Sequence, residues 1–249
     1  MKIDSIPRKF VGITGPAEKK EELRQVSESL ANLLGPLGYW QTDNLITFAK
    51  NFSFMDDQRF TDAVFRNANH EYDKAIIWRT HILSWAAKNA LRVGGDLVEC
   101  GTHLGFSVAV LSEYLELQDS GRTYWCYDLF EGPAYARLDL GGCTPIEFVE
   151  RRFRDKPFVR LIKGEVPESF GRGAPSRVCF LHLDMNSAPA EQAALKRLLP
   201  LMPRGAFVVL DDYGWVQFRA QKLVADEIFG AAGIPIVELP TGQGLAIIG

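Results

Sequence analysis

The sequence predicts an α/β fold, in which a mostly parallel β-sheet carries helices on both faces. Three observations support this prediction. From residue 96 onward, short strand-like runs alternate with helical patterns, and most residues in those runs are apolar, as in strands that are buried on both faces. Only five residues, 240–244, separate the last two runs. Because a parallel crossover needs about a dozen residues or more, the last two strands must form an antiparallel hairpin.

The order of these patterns along the chain predicts the individual elements. We expect strands over residues 96–100, 123–127, 158–163, 178–183, 206–210, 235–239 and 245–248. We expect helices over residues 19–34, 62–69, 72–91, 106–117, 190–201 and 218–229, where apolar residues recur at helical spacing. The elements before residue 93 are helical, so we expect an N-terminal helical segment, 1–92, packed on a core, 93–249, as one structural domain. That segment covers a cleft, forms a subunit interface or simply packs against the core.

Length, charge and composition exclude several classes of protein. A chain of 249 residues is long enough for one large domain and short for two. Its net charge of −3, with no strongly basic stretch, argues against sequence-independent binding to nucleic acid. The N-terminus has no apolar signal region, and no window approaches the roughly 18 apolar residues of a membrane span. Four cysteines without metal-site spacing fit a reducing, cytoplasmic setting.

A glycine loop follows the first predicted strand, at the edge where open parallel sheets bind ligands. The sequence there is ECGTHLGFS, with Gly101 and Gly105 four residues apart. Such glycines allow a tight turn and a close approach of a ligand to the following helix N-terminus. The spacing is not GxGxxG, which disfavours a nicotinamide dinucleotide and suits a nucleoside without a pyrophosphate. The alternatives are a glycine turn required only by geometry and, for His103, a solvated loop position.

An acidic residue, Asp128, ends the second predicted strand and is followed by Leu129 and Phe130. A carboxylate at this position can accept hydrogen bonds from the two hydroxyls of a ribose. The alternative is a helix cap or a solvated turn carboxylate. Asp128 stands one βαβ unit after the glycine loop, and the pair together indicates a nucleoside site more strongly than either feature alone.

Three further carboxylates follow the fourth and fifth predicted strands. Asp184 ends the run HLD, and Asp211 and Asp212 follow AFVVL. If these strands are neighbours, the three side chains converge, and their mutual repulsion raises at least one pKa. A hard divalent cation, with Mg²⁺ as the best fit, would relieve that repulsion. A pair of helix-capping aspartates without metal is the alternative, and we expect His182 to be a packed strand residue rather than a ligand.

The runs VECGTHLGFS, YDLFEG, HLDMN and PRGAFVVLDDYG resemble the macrocin O-methyltransferase type of class I methyltransferase, the sugar O-methyltransferases of antibiotic biosynthesis. The resemblance extends from about residue 48 to the C-terminus. It implies a Rossmann-like sheet of seven strands, S-adenosylmethionine and Mg²⁺ as cofactors, and methyl transfer to a hydroxyl of a sugar or glycosylated metabolite. We also expect a homo-oligomer, a dimer or larger, with no nucleic-acid or membrane partner.

The resemblance also implies roles for individual residues. Those under the methionine part of the cofactor would be Glu99, Gly101, Thr102, His103, Gly105 and Ser107. Those at its ribose and adenine would be Asp128, Leu129, Phe130, Gly164 and Glu165. Those holding Mg²⁺ would be Asp184, Asp211 and Asp212, with Asp184 as the general base.

Two departures from the family pattern stand out, one after the fourth predicted strand and one in the glycine loop. Asn186 replaces the second aspartate of an Asp-x-Asp pair, and His103-Leu104 stands where the family has Trp-Arg. We therefore expect an acceptor pocket that differs from that of the family. Two other functions stay open on the sequence alone, a metal-dependent catechol-type O-methyltransferase and a protein that binds the cofactor without catalysis.

Overall fold

The computed structural model describes residues 15–136 and 138–249. The chain divides into two compact units, of which the first ends at His81 and the second begins at Ile82. The first unit holds α1 (Lys20–Leu34), β1 (Trp40–Thr42), β2 (Leu45–Thr47), α2 (Gln58–Asn67), α3 (Glu71–Ala75) and the first residues of α4 (Ile77–Ala90). The expected segment 1–92 stays a prediction, and its first 14 residues lie outside the described residues.

The second unit alternates strands and helices in the predicted way. Its strands are β3 (Asp96–Cys100), β4 (Tyr124–Asp128), β5 (Val159–Lys163), β6 (Val178–Leu183), β7 (Phe207–Leu210), β8 (Ile236–Glu238) and β9 (Gly244–Ile247). Its helices, besides the rest of α4, are α5 (Phe106–Tyr114), α6 (Pro145–Arg152), α7 (Ala188–Leu198) and α8 (Arg219–Ala231).

The seven strands form one sheet in the order β5-β4-β3-β6-β7-β9-β8. Neighbours from β5 to β7 are parallel, and β9 is antiparallel to both β7 and β8. This arrangement confirms the predicted Rossmann-like fold with its C-terminal hairpin. Because β3, β6 and β7 are consecutive in the sheet, the residues after these three strands lie side by side at one edge.

Two apolar clusters cover the two faces of the sheet, which is why every residue of the central strands β6 and β7 is buried. One cluster joins the sheet to α4, α5 and α6 through residues such as Leu83, Val108 and Val149. The other joins it to α7 and α8 through residues such as Leu195 and Phe229. In the part of the chain that the structure describes, no helix combines the length and the apolar character needed to cross a bilayer.

The structure differs from the sequence prediction at three elements. The expected helix over 72–91 is divided at Ile76, whose φ of −85° and ψ of 18° depart from helical values. The hairpin β1–β2 was not predicted; its turn uses Asp43 and Asn44, both with positive φ, in place of glycine. Helix α6 was not predicted either, although the residues TPIE before and within it form a capping box, in which Thr144 and Glu147 cap each other's backbone N–H.

Candidate functional site

The glycine loop lies directly on the end of β6. Gly101 has a φ of +96°, and a Cβ atom at this position would lie 1.8 Å from the carbonyl oxygen of Asp184. Gly105 has a φ of +72°, and a Cβ atom there would lie 2.6 Å from the ring of Phe153. Both positions therefore require glycine because of close packing and a left-handed backbone.

Glu99 lies beneath this loop rather than at its surface. Its side chain is buried and accepts hydrogen bonds from Ser107 Oγ at 2.7 Å and Tyr124 Oη at 3.3 Å. Its Oε2 atom is also 3.0 Å from Nδ1 of His182. Glu99 and Ser107, both expected beside the cofactor, thus bind each other and support the loop from below.

Asp128 ties the loop to the segment that follows β4. One carboxylate oxygen accepts the backbone N–H of His103 at 2.8 Å. The other accepts the backbone N–H of Phe130 at 2.7 Å and the hydroxyl of Tyr135 at 2.8 Å. The ring of His103 stacks on that of Tyr135, with centroids 4.9 Å apart. Burial, and then the charge of Asp128, raise the pKa of the Tyr135 hydroxyl.

Tyr135 was not predicted from the sequence, since only the fold brings it to Asp128. Its side chain also lines a cavity of about 430 Å³ together with Glu131 and Asp139. Carboxylates on a cavity wall can accept hydrogen bonds from hydroxyl groups. The cavity therefore offers space for a hydroxylated ligand beside Tyr135, whose hydroxyl donates to Asp128.

The remaining residues expected at the cofactor differ in exposure. Leu129 and Glu165 are exposed and Gly164 is half-buried, so a ligand can reach them. Thr102 and Phe130 are buried, and their side chains pack inside the protein. The N–H of Gly164 donates to the carbonyl of Asp128 at 2.9 Å, which joins the ends of β4 and β5.

Asp184, Asp211 and Asp212 come together at the ends of β6 and β7. One carboxylate oxygen from each lies within 4.8 Å of those of the other two. Asp211 and Asp212 are 7% exposed, and Asp184 is half-buried. Three anionic oxygens this close repel one another, and an all-oxygen donor set suits a hard divalent cation. The residues present therefore fit Mg²⁺, while their role as ligands stays a prediction.

His182 connects this cluster to Glu99. Its Nε2 atom lies 3.7 Å from Oδ1 of Asp211, longer than a hydrogen bond, while Nδ1 contacts Glu99. Burial lowers the pKa of His182, but Asp211 and Glu99 outweigh it and raise this pKa to about 10. His182 is thus a buried strand residue that lies between the carboxylates of Glu99 and Asp211.

Two other buried residues next to the cluster, Gln243 and Glu191, were not predicted from the sequence. Gln243 lies in the turn between β8 and β9, and its Nε2 atom donates to Asp211 Oδ1 at a distance of 3.0 Å. Glu191, in the first turn of α7, accepts a hydrogen bond from Gln221. Burial raises the pKa of Glu191 to about 7, although hydrogen bonds from Gln221 and the backbone of Met185 oppose the shift.

Comparison with known proteins finds a family and relatives that are similar to part of this chain. The family described as "Methyltransferase domain" matches residues 98–213. Over 140 residues the chain is 27% identical to the 8-demethyl-8-(2,3-dimethoxy-alpha-L-rhamnosyl)-tetracenomycin-C 4'-O-methyltransferase of Streptomyces olivaceus, a match that covers 49% of this chain and 54% of that protein. The chain thus spans about half the length of the curated relative it matches.

Solved structures share the fold at low sequence identity. The O-methyltransferase NovP has a TM-score of 0.56 and 20% identity, over 69% of this chain and 80% of NovP. A calicheamicin methyltransferase has a TM-score of 0.59 and 13% identity, over 95% of each chain. In these comparisons the segment 98–213 is similar to the methyltransferase-domain family, and the solved O-methyltransferase structures share the fold of the chain.

Proposed function

We propose that this chain is an S-adenosylmethionine-dependent O-methyltransferase, assisted by Mg²⁺, that acts on a hydroxyl of a sugar or glycosylated metabolite. One observation carries the proposal, the backbone contact between the glycine loop and Asp184. The N–H of Asp184 donates to the carbonyl of Cys100 at 2.9 Å, and its own carbonyl packs on Gly101. A methyl donor on the loop and a hydroxyl at the carboxylate cluster would therefore be neighbours.

The glycine loop and Asp128 would hold the donor. The backbone of Gly101 and Gly105 would face its methionine part, and Asp128 would accept hydrogen bonds from the ribose. Leu129, Gly164 and Glu165 are accessible enough to contact the adenine. Glu99, Thr102, Ser107 and Phe130 would act from beneath, by fixing the shape of the loop.

The carboxylate cluster would hold the cation and the acceptor. A bound Mg²⁺ supplies Lewis acidity, which lowers the pKa of a hydroxyl that coordinates it. Asp184 is the most exposed of the three carboxylates and would accept the hydroxyl proton. The curated relative is named for action on a rhamnosyl group, which supports a glycosylated acceptor. That the protein forms a homo-oligomer stays a prediction, which light scattering would test.

The test compares wild-type protein with Asp184→Asn and Asp212→Asn, each with Mg²⁺ and with EDTA. Methyl transfer would be measured on panels of sugar, glycosylated and catechol acceptors, and binding by titration with S-adenosylhomocysteine and with NAD. We expect each substitution, and EDTA, to lower turnover about 100-fold or more. Because Asp128 and the glycine loop are unchanged, affinity for S-adenosylhomocysteine should persist. The exposed Asp119→Asn is the matched control.

Each alternative gives a different result. Full turnover in EDTA and in both variants would remove the cation from the proposal. Turnover on catechols alone would replace the sugar acceptor. Binding of S-adenosylhomocysteine without turnover on any acceptor would favour a protein that binds the cofactor without catalysis. Binding of NAD instead would contradict the assignment of S-adenosylmethionine as the methyl donor.

A further inference from the structure

The side chain of Gln243, in the turn between β8 and β9, contacts the carboxylate of Asp211, which follows β7. Gln243 Nε2 donates to Asp211 Oδ1 at 3.0 Å. The Gln243 side chain is 0% exposed, so water does not share this contact. Burying an amide is unfavourable unless its polar atoms are paired, and here the carboxylate of Asp211 provides that pairing.

The orientation of the Gln243 amide is fixed from both ends. The Asp211 carboxylate only accepts hydrogen bonds, so the amide nitrogen must face it. At the opposite end, Thr241 Oγ1 donates to Gln243 Oε1 at 3.0 Å. His182 approaches the same oxygen of Asp211, at 3.7 Å, from the neighbouring strand β6. Two buried groups therefore restrict rotation of the Asp211 carboxylate.

The C-terminal hairpin brings Gln243 to this position. In the antiparallel pair β7–β9, Leu210 lies opposite Gly244. The residue after Leu210 is Asp211 and the residue before Gly244 is Gln243, so the register places them next to each other. Gly244 must be glycine, since a Cβ atom there would lie 2.7 Å from the ring of Tyr213.

We propose that Gln243 is a positioning residue for a divalent cation: its amide fixes the Asp211 carboxylate facing Asp184 and Asp212, so that the cation meets oxygens already in place. Groups that hydrogen-bond to ligating carboxylates orient them in this way, and their loss weakens metal binding. The inference rests on the proposed cation site. It adds the β8–β9 hairpin to that site, although the hairpin supplies no ligand.

The test measures binding of Mn²⁺ alone, by water-proton relaxation, to full-length protein first stripped with EDTA. Gln243→Met keeps a long unbranched side chain but removes the donor. We expect the Kd for Mn²⁺ to rise about 10- to 100-fold, with unchanged affinity for S-adenosylhomocysteine in EDTA. The matched control is Gln41→Met, another buried glutamine bound to a side chain, that of Tyr39. It should lower the melting temperature without changing the Kd for Mn²⁺.

The outcomes separate this inference from the proposed function. If wild-type protein and Asp212→Asn bind Mn²⁺ equally weakly, the cation site itself is wrong, and the role of Gln243 falls with it. If Asp212→Asn loses Mn²⁺ but Gln243→Met binds it as wild type does, the site stands and the positioning role is overturned. Should Gln243→Met not fold, Thr241→Val removes only the hydroxyl that orients the amide. Weaker Mn²⁺ binding by that variant supports the inference, and wild-type binding overturns it.

Discussion

The carbonyl oxygen of Asp184 lies where a side chain at position 101 would begin, 1.8 Å from a Cβ atom built on Gly101. Real Cβ atoms do not approach backbone this closely, and the φ of +96° also strains any other residue. We predict that Gly101→Ala lowers the free energy of unfolding by about 2 to 5 kcal/mol, from overpacking and backbone strain. Urea unfolding followed by circular dichroism would measure it.

A glycine-to-alanine substitution at position 230 is expected to change the free energy of unfolding in the opposite direction. Gly230 lies in α8, and a methyl group added to its Cα would have no atom within 4 Å outside the neighbouring backbone of its own helix. Alanine there gains helix propensity, and Gly230→Ala should stabilise the protein by up to about 1 kcal/mol. Equal urea midpoints for Gly101→Ala and wild type would show that the loop moves away from β6 easily.

Asp128 accepts three hydrogen bonds, from His103, Phe130 and Tyr135. An asparagine there loses the charge and turns an N–H₂ group toward at least one of these donors. We predict that Asp128→Asn weakens binding of S-adenosylhomocysteine about 10- to 100-fold, the usual effect of losing hydrogen bonds to a charged group. Isothermal titration calorimetry would measure the Kd.

Tyr135→Phe is the matched variant, because it removes one of the three donors and leaves the carboxylate. Its Kd for S-adenosylhomocysteine should change less than that of Asp128→Asn. An Asp128→Asn protein that binds this ligand as wild type does, with an unchanged melting temperature, would contradict the ribose role.

Much of the sheet was predictable because each buried strand is an apolar run of its own. The run 178–183 is observed as β6 with the same bounds. Strand order was not predictable in the same way, since Glu99 and His182 are 83 residues apart and meet only because β3 and β6 pair. The aspartates could be found from their place after two strands. Gln243 could not, because its contact depends on the register of the final hairpin.

Glu191 should make stability depend on pH. Its pKa is raised to about 7 in the folded protein, from an ordinary value of 4.5. The folded state therefore binds the proton more tightly, and this stabilisation is present below pH 4.5 and is lost as pH rises through 7. At about 1.4 kcal/mol per pKa unit, the loss is about 3 kcal/mol.

Glu191→Gln removes this titration. We predict that the free energy of unfolding of the variant, relative to that of wild type, increases by about 2 to 3 kcal/mol as the pH rises from 5 to 8. Urea unfolding in EDTA at each pH would measure this difference. The exposed Glu227→Gln is the control, since it keeps Glu191. If Glu191→Gln and wild type lose stability in parallel over this range, Glu191 does not bind the proton as inferred.

A buried ion pair stabilises the first unit. Arg79 donates to Asp43 through Nε at 2.6 Å and Nη2 at 2.7 Å, and both side chains are 8% exposed. Asp43→Asn keeps the shape and tolerates the positive φ but removes the charge of the carboxylate that binds the buried guanidinium of Arg79. We predict a loss of about 3 to 5 kcal/mol in the free energy of unfolding, measured by urea unfolding.

Removing both charges should cost less than removing one, because the desolvated cation then disappears. The double variant Asp43→Asn with Arg79→Met is therefore expected to recover part of the loss. The exposed pair of Lys74 and Glu71, at 2.6 Å, is the matched control, and Glu71→Gln should cost less than about 1 kcal/mol. If Asp43→Asn costs no more than Glu71→Gln, water reaches Arg79 and the pair is not buried in solution.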